Sequence, residues 1–133
     1  MKLLVSILCC ALSVLTLSAQ SGVSSDKRGA HLLFESTEHD FGTLSRRDEN
    51  KSCTFRFVND GTEPLVILSA TTTCSCLKVE APRKPIIVGA SGEIRLTLES
   101  KKVEKGVFRR IVQVRSNSTG GTEIITIKGI VKD

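Results

Sequence analysis

Apolar and polar residues alternate one for one along most of this chain. Cys53, Phe55 and Phe57 interleave with Thr54, Arg56 and Val58, and Ile94, Leu96 and Leu98 interleave with Arg95, Thr97 and Glu99. Phe108, Val112 and Val114 oppose Arg109, Gln113 and Arg115. Ile125, Ile127 and Val131 repeat the pattern, with Gly129 where a side chain would not fit or a bulge is needed. A period of two marks a half-buried strand. It predicts strands over residues 31–35, 41–44, 53–59, 65–71, 76–80, 94–100, 107–116 and 124–132. Turn residues punctuate them, Asn59-Asp60-Gly61 above all. Beyond the first residues no helical period is present. Seven or eight short strands at this spacing predict an all-β antiparallel sandwich. A small closed barrel is the competing architecture, disfavoured by the unequal strands and the irregular stretch 82–92. The expected core is Phe55, Phe57, Leu65, Ile67, Ile94, Leu96, Leu98, Phe108, Val112, Val114, Ile125 and Ile127, because a shift of one residue would expose the whole set.

The opening segment has a different character. Lys2 precedes the apolar run LLVSILCCALSVLTL, followed by Ser18-Ala19-Gln20-Ser21. That order predicts a cleaved signal peptide over residues 1–19, with cleavage after Ser18 as the alternative. The run is shorter than the ~20 residues that span a bilayer, so an integral membrane protein is not expected. Cys9 and Cys10 lie too early, behind Leu8, for a lipoprotein signal. Residues 20–30 are polar and Ser-rich and read as a flexible tether, leaving one domain over 31–133. The expected address is periplasmic or cell-surface.

Charge and composition narrow the partners. The chain carries 19 basic and 14 acidic residues, a net charge of +5 to which Lys2 contributes. An exported chain whose basic residues are not interleaved with aromatics is a poor nucleic-acid binder. Trp and Tyr, on which sugars usually dock, are both absent. Another envelope protein or an anionic envelope component is the expected partner.

The distinctive chemistry is the segment Thr71 to Val79, which sets Cys74 and Cys76 one residue apart. In an oxidising compartment such thiols pair with each other, pair with Cys53, or hold a soft metal ion such as Cu(I). Residues two apart in an extended strand have Cα atoms about 6.6 Å apart, at the edge of disulfide geometry. A Cys74–Cys76 bond therefore requires a local bend. A bond from Cys53 to one of the pair is expected ahead of it.

Alternating strand directions predict where these groups meet. The loop before residue 53, the Cys74-Ser75-Cys76 corner and the 101–106 connection should share one pole. That pole would carry Arg46, Arg47, Lys51, Lys101, Lys102 and Lys105 as a site for an anionic partner. A positive surrounding would also lower thiol pKa values. For catalysis only His31 and His39 supply imidazoles, and no nucleophile elbow or metal-binding helix motif is present. The chain reads as a non-enzyme without a cofactor. The Asn117-Ser118-Thr119 sequon matches a glycan acceptor and carries little weight.

Several motifs together resemble a known family. They run Asp40-Phe41-Gly42-Thr43-Leu44, Phe55-x-Phe57-x-Asn59-x-Gly61, Thr73-Cys74-Ser75-Cys76, Gly89-x-x-Gly92-x-Ile94, Gly106-x-Phe108 and Ile127-x-Gly129-x-Val131. The order resembles the exported bacterial domain of unknown function 1573 family, over roughly residues 33–131. That family is similar to Hydin-type and major-sperm-protein-type immunoglobulin-like domains. The resemblance implies an immunoglobulin-like sandwich in the cell envelope and no established activity. Where the family usually has Gly between the cysteines, this chain has Ser75. The expected function is a non-catalytic protein-binding or structural module. The alternative is a thiol-based metal-binding or redox module, and a third reading is a sandwich that exchanges an edge strand with a partner.

Overall fold

The computed structural model describes residues 28–133, so the expected signal peptide lies outside the described residues, as does most of the tether. The chain forms an immunoglobulin-like β-sandwich of eight strands. They are β1 (Leu32–Phe34), β2 (Glu38–Ser45), β3 (Lys51–Asn59), β4 (Ile67–Thr71), β5 (Leu77–Glu80), β6 (Ser91–Leu98), β7 (Gly106–Ser116) and β8 (Thr122–Lys132), with a 3-10 turn at Ser100–Lys102. One sheet has the order β1-β3-β6-β5 and the other β2-β8-β7-β4. The alternating pattern decides the inner faces. Phe55 lies opposite Ile94 and Cys53 opposite Leu96 in the first sheet, and Val112 opposite Ile125 in the second. Of the twelve expected core residues, eleven are buried, and Ile67 is half-buried against them.

The sandwich is not antiparallel throughout. β2 runs parallel to β8, from Glu38 beside Thr126 to Ser45 beside Lys132. The reason lies in residues 35–37, where one pass of chain leaves the first sheet after β1 and joins the second as β2 without reversing. The same pass thereby closes an edge of each sheet. The β2–β8 register shifts between Asp40 and Thr43, where Gly42 takes φ +70°. Such a conformation is strained for other residues, and the Asp40 carboxylate accepts the Gly42 N–H at 2.7 Å. Phe41 packs half-buried against the core beside this bulge.

The end of the sandwich opposite the cysteines is closed by polar side chains. Asn59 is fully buried. Its Oδ1 accepts the N–H groups of His31 (3.3 Å) and Gly61 (3.1 Å), while its Nδ2 donates to the C=O groups of Glu63 (2.7 Å) and Ile86 (2.9 Å). Asn117 accepts from the Val66 N–H at 2.8 Å and donates to the Pro64 C=O at 3.1 Å. Ser118 is buried, and its hydroxyl accepts the Leu32 N–H at 3.2 Å. The sequon is thus turn chemistry. The packed body also begins earlier than the expected boundary at residue 31. Ala30 is buried, and Gly29 exchanges hydrogen bonds with Thr62.

Candidate functional site

The pole where β3 begins and β6 ends gathers the expected groups. Three connections meet there: residues 46–50, 72–76 and 99–105. They are tied together through the backbone. The Arg46 guanidinium donates to the Lys101 C=O at 3.0 Å, and the Glu99 N–H donates to the Cys76 C=O at 2.8 Å. Arg46, Arg47, Lys101, Lys102 and Lys105 are exposed, and Lys51 is half-buried at the start of β3.

The pole is less cationic than its lysines suggest, because it supplies its own acids. Glu99 lies 2.6 Å from the Lys102 ammonium and 3.7 Å from that of Lys78. The Lys102 hydrogen bond, ahead of the other charges, holds the Glu99 carboxyl below its usual value. Lys105 is paired with Asp133. Sequence reading placed the cations here but missed Glu99, which its alternation with Leu98 marked only as an outward residue.

The thiols do not pair as expected. Cys74 is bonded to Cys76, with Cα atoms 5.1 Å apart, and Cys53 is free and buried. The strand order gives the reason. β6 lies between β3, which carries Cys53, and β5, which follows Cys76. Two inter-strand spacings come to about 9.6 Å, beyond disulfide reach. The bend that the Cys74–Cys76 bond needs uses no left-handed residue: the corner contains no glycine, and no described non-Gly residue has positive φ. A turn supplies it. The Leu77 N–H donates to the Cys74 C=O at 3.3 Å, and the Cys76 N–H lies 3.2 Å from the Cys74 sulfur. Thr72 anchors the corner, accepting from the Cys74 N–H at 3.3 Å and donating to the Ile111 C=O at 2.9 Å. Cys74 is half-buried and Cys76 fully buried.

The expected electrostatic activation also fails at Cys53. Burial pushes its thiol up to about 11. Desolvation disfavours the thiolate, and of the cations that were to lower it all but Lys51 sit on outward loops. With Cys74 and Cys76 joined, both sulfurs are committed, so a soft metal ion could be taken only after reduction. The histidines are occupied as well. His31 contacts the Asp60 carboxylate, and His39 stands edge-on to Phe41 with ring centroids 4.6 Å apart.

What remains available is sheet surface. On the outer face of the second sheet, Val107 lies beside Ile130, Arg109 beside Lys128 and Ile111 beside Thr126. Val107 is 85% exposed, and Ile111 and Ile130 are about half as exposed. Glu38 forms an ion pair at 2.5 Å with Lys128, which lowers the Glu38 pKa and raises that of Lys128. No helix among the described residues is long and apolar enough to cross a membrane.

Comparison with known proteins agrees with this architecture. The profile of DUF1573, described as a protein of unknown function, matches residues 32–131. No curated protein matches the sequence. Among solved structures, a protein of unknown function from Porphyromonas gingivalis W83 superposes with TM-score 0.70 at 20% identity. The match covers 79% of this chain and 48% of that one, so the chain spans about half of that protein. The ASH / PapD-like domain 7 of human CEP192 superposes with TM-score 0.58 at 11% identity, covering 77% and 85% of the two chains. The YadV chaperone superposes with TM-score 0.56 at 13% identity, covering 77% and 52%. At these identities the likeness is one of fold.

Proposed function

Because the chain belongs to the DUF1573 family, which carries no assigned activity, we propose its role from its surfaces: a non-catalytic, exported module that binds another protein of the cell envelope. The observation that carries this reading is the outer face of β7 and β8. Val107 and Ile130 are direct cross-strand neighbours, and both are exposed. Apolar side chains placed side by side on an outward sheet face mark an interaction surface more often than scattered ones do. The groups that could otherwise serve catalysis are committed to structure: His31 to Asp60, Cys74 to Cys76, and Cys53 to the core. A chaperone among the structural neighbours makes protein a reasonable ligand class. Export is supported by the charged, apolar and small-residue order of residues 1–19.

The test is cross-linking in cells from photoreactive residues placed at Val107, at Ile130 and, on the other sheet, at the exposed Arg56. The expected result is an adduct of defined mass from the first two positions and none from the third. Equal labelling from all three would overturn the binding face. Recovery of uncut protein from the cytosol by fractionation would overturn export.

A further inference from the structure

Strand β7 is fully paired on one side only. Toward β8 its ladder runs from Gly106 to Arg115. On the other side, β4 covers only Gln113 to Ser116 before the chain leaves for β5 in the opposite sheet. In an antiparallel sheet, successive residues direct their backbone groups to opposite sides. The Ile111 C=O accepts the Thr72 hydroxyl on the β4 side at 2.9 Å. Val107 and Arg109 share that parity, so their N–H and C=O groups point the same way. Among the described residues, no strand meets them there. The Arg109 C=O is covered instead by the guanidinium of its neighbour Arg110, at 2.9 Å. At the inner end of this edge lies a cavity of about 240 Å³ lined by Thr71, Thr72, Thr73, Ile111 and Gln113.

We propose that this edge, residues 106–112 of β7, receives an extended acidic segment of a partner protein as an added strand; the proposal rests on the protein-binding reading above. Seven residues extend about 24 Å, enough to pair a segment of about five residues. Backbone hydrogen bonding to Val107 and Arg109 would supply sequence-independent affinity, and alternate side chains would supply the choice of partner. Charge decides the occupant. Arg109 and Arg110 sit at the middle of the open edge. A second copy paired antiparallel over residues 106–112 would set Arg109 against Arg109, and like charges directly opposite are destabilising. Charge on an edge strand is a usual defence against such self-pairing. Carboxylates of an incoming strand would instead engage both guanidinium groups and draw Arg110 off the carbonyl it covers. The cavity beside Ile111 would take one apolar side chain of that strand.

The probe is a synthetic peptide alternating valine and glutamate, compared with its lysine-for-glutamate counterpart, on the 15N-labelled protein. The glutamate peptide is expected to slow amide hydrogen exchange at Val107 and Arg109 at least tenfold, and the lysine peptide to leave it unchanged. Val107→Pro removes an open-side donor without touching the β7–β8 ladder. It should weaken binding at least tenfold while thermal unfolding stays close to that of the parent. Arg109→Glu should exchange the preference between the two peptides. Protection elsewhere on the fold, no protection at all, binding indifferent to Val107→Pro, or a peptide-free dimer that protects the same amides would each overturn the proposal. Adducts from Val107 and Ile130 in cells, together with a silent peptide titration, would remove strand addition and leave the protein-binding reading intact.

Discussion

The ring of Phe108 lies across Gly129, its cross-strand partner on β8, and fills the space that a side chain there would need. A Cβ at position 129 would come within 2.7 Å of the ring and 2.9 Å of the Gly42 C=O. Phe57 stands in the same relation to Gly92 in the other sheet. Gly129→Ala should therefore destabilise the fold by about 1–3 kcal/mol, the usual cost of overfilling a packed site. Denaturant unfolding of the variant alone and combined with Phe108→Leu provides the check. The smaller side chain should recover part of the loss, and strictly additive effects would show that the ring is not the obstacle.

Asn59 should be among the most sensitive positions in the molecule. Removing its side chain strands two backbone N–H groups and the Glu63 carbonyl, and leaves the Ile86 carbonyl with the Leu65 N–H alone. Each buried polar group left without a partner costs on the order of 1–3 kcal/mol. Asn59→Ala is expected to lose about 3 kcal/mol or more, and Asn59→Asp to retain the acceptor but not the donors. Equilibrium unfolding curves matching those of the parent would refute this assignment.

Cys53 makes a specific contribution to pH dependence. Burial raises its thiol from 9.0 to about 11, so between those values the folded state holds a proton that the unfolded state releases. The stabilisation is complete below pH 9 and is lost as pH rises through about 11, amounting to roughly 2–3 kcal/mol. Comparing the parent with Cys53→Ala removes the background titration of lysines. The gap between their unfolding free energies should narrow with rising pH over that range. The native thiol should also resist alkylation until the protein unfolds.

The Cys74–Cys76 bond should matter little to global stability. It links residues only two apart, so it removes little entropy from the unfolded chain. Replacing both cysteines with serine is expected to cost about 1 kcal/mol or less. Mass spectrometry of a chain beginning at Gln20, denatured and alkylated without reductant, should show one modified thiol, and three after reduction. Three modified thiols without reductant would contradict the pairing.

Much of this molecule is legible from strand parity. Phe55, Leu96 and Val114 each face inward because their immediate neighbours are polar, and the turn residues bound each strand. Parity says nothing about which sheet a strand joins. It therefore gave no warning that the chain crosses between sheets at residues 35–37, which makes β2 run parallel to β8. The same blindness explains the cysteines. Counting strand directions brought Cys53 and Cys76 to one pole, but only the order β3-β6-β5 shows that a whole strand separates them. Asn59 is the other kind of miss. Its residue type fits an ordinary turn, and its burial arises from the start of the domain and the stretch near Ile86 closing over it. Glu99 is a partial miss: Lys102 lies only three residues on along the same turn, whereas Lys78 arrives from β5.

The parallel pairing of β2 with β8 also sets a timetable. Glu38 finds its neighbour Thr126 only after nearly ninety intervening residues have been made, and contacts so distant along a chain form slowly because loop closure precedes their reward. At the ~5–20 residues per second of synthesis, β2, Phe41 included, waits several seconds as an unpaired strand. Until it ends the second sheet lacks β8, the strand that joins β2 to β7. A ribosome-bound chain would accordingly complete the first sheet before the second, whose β2 edge joins last, when β8 has emerged.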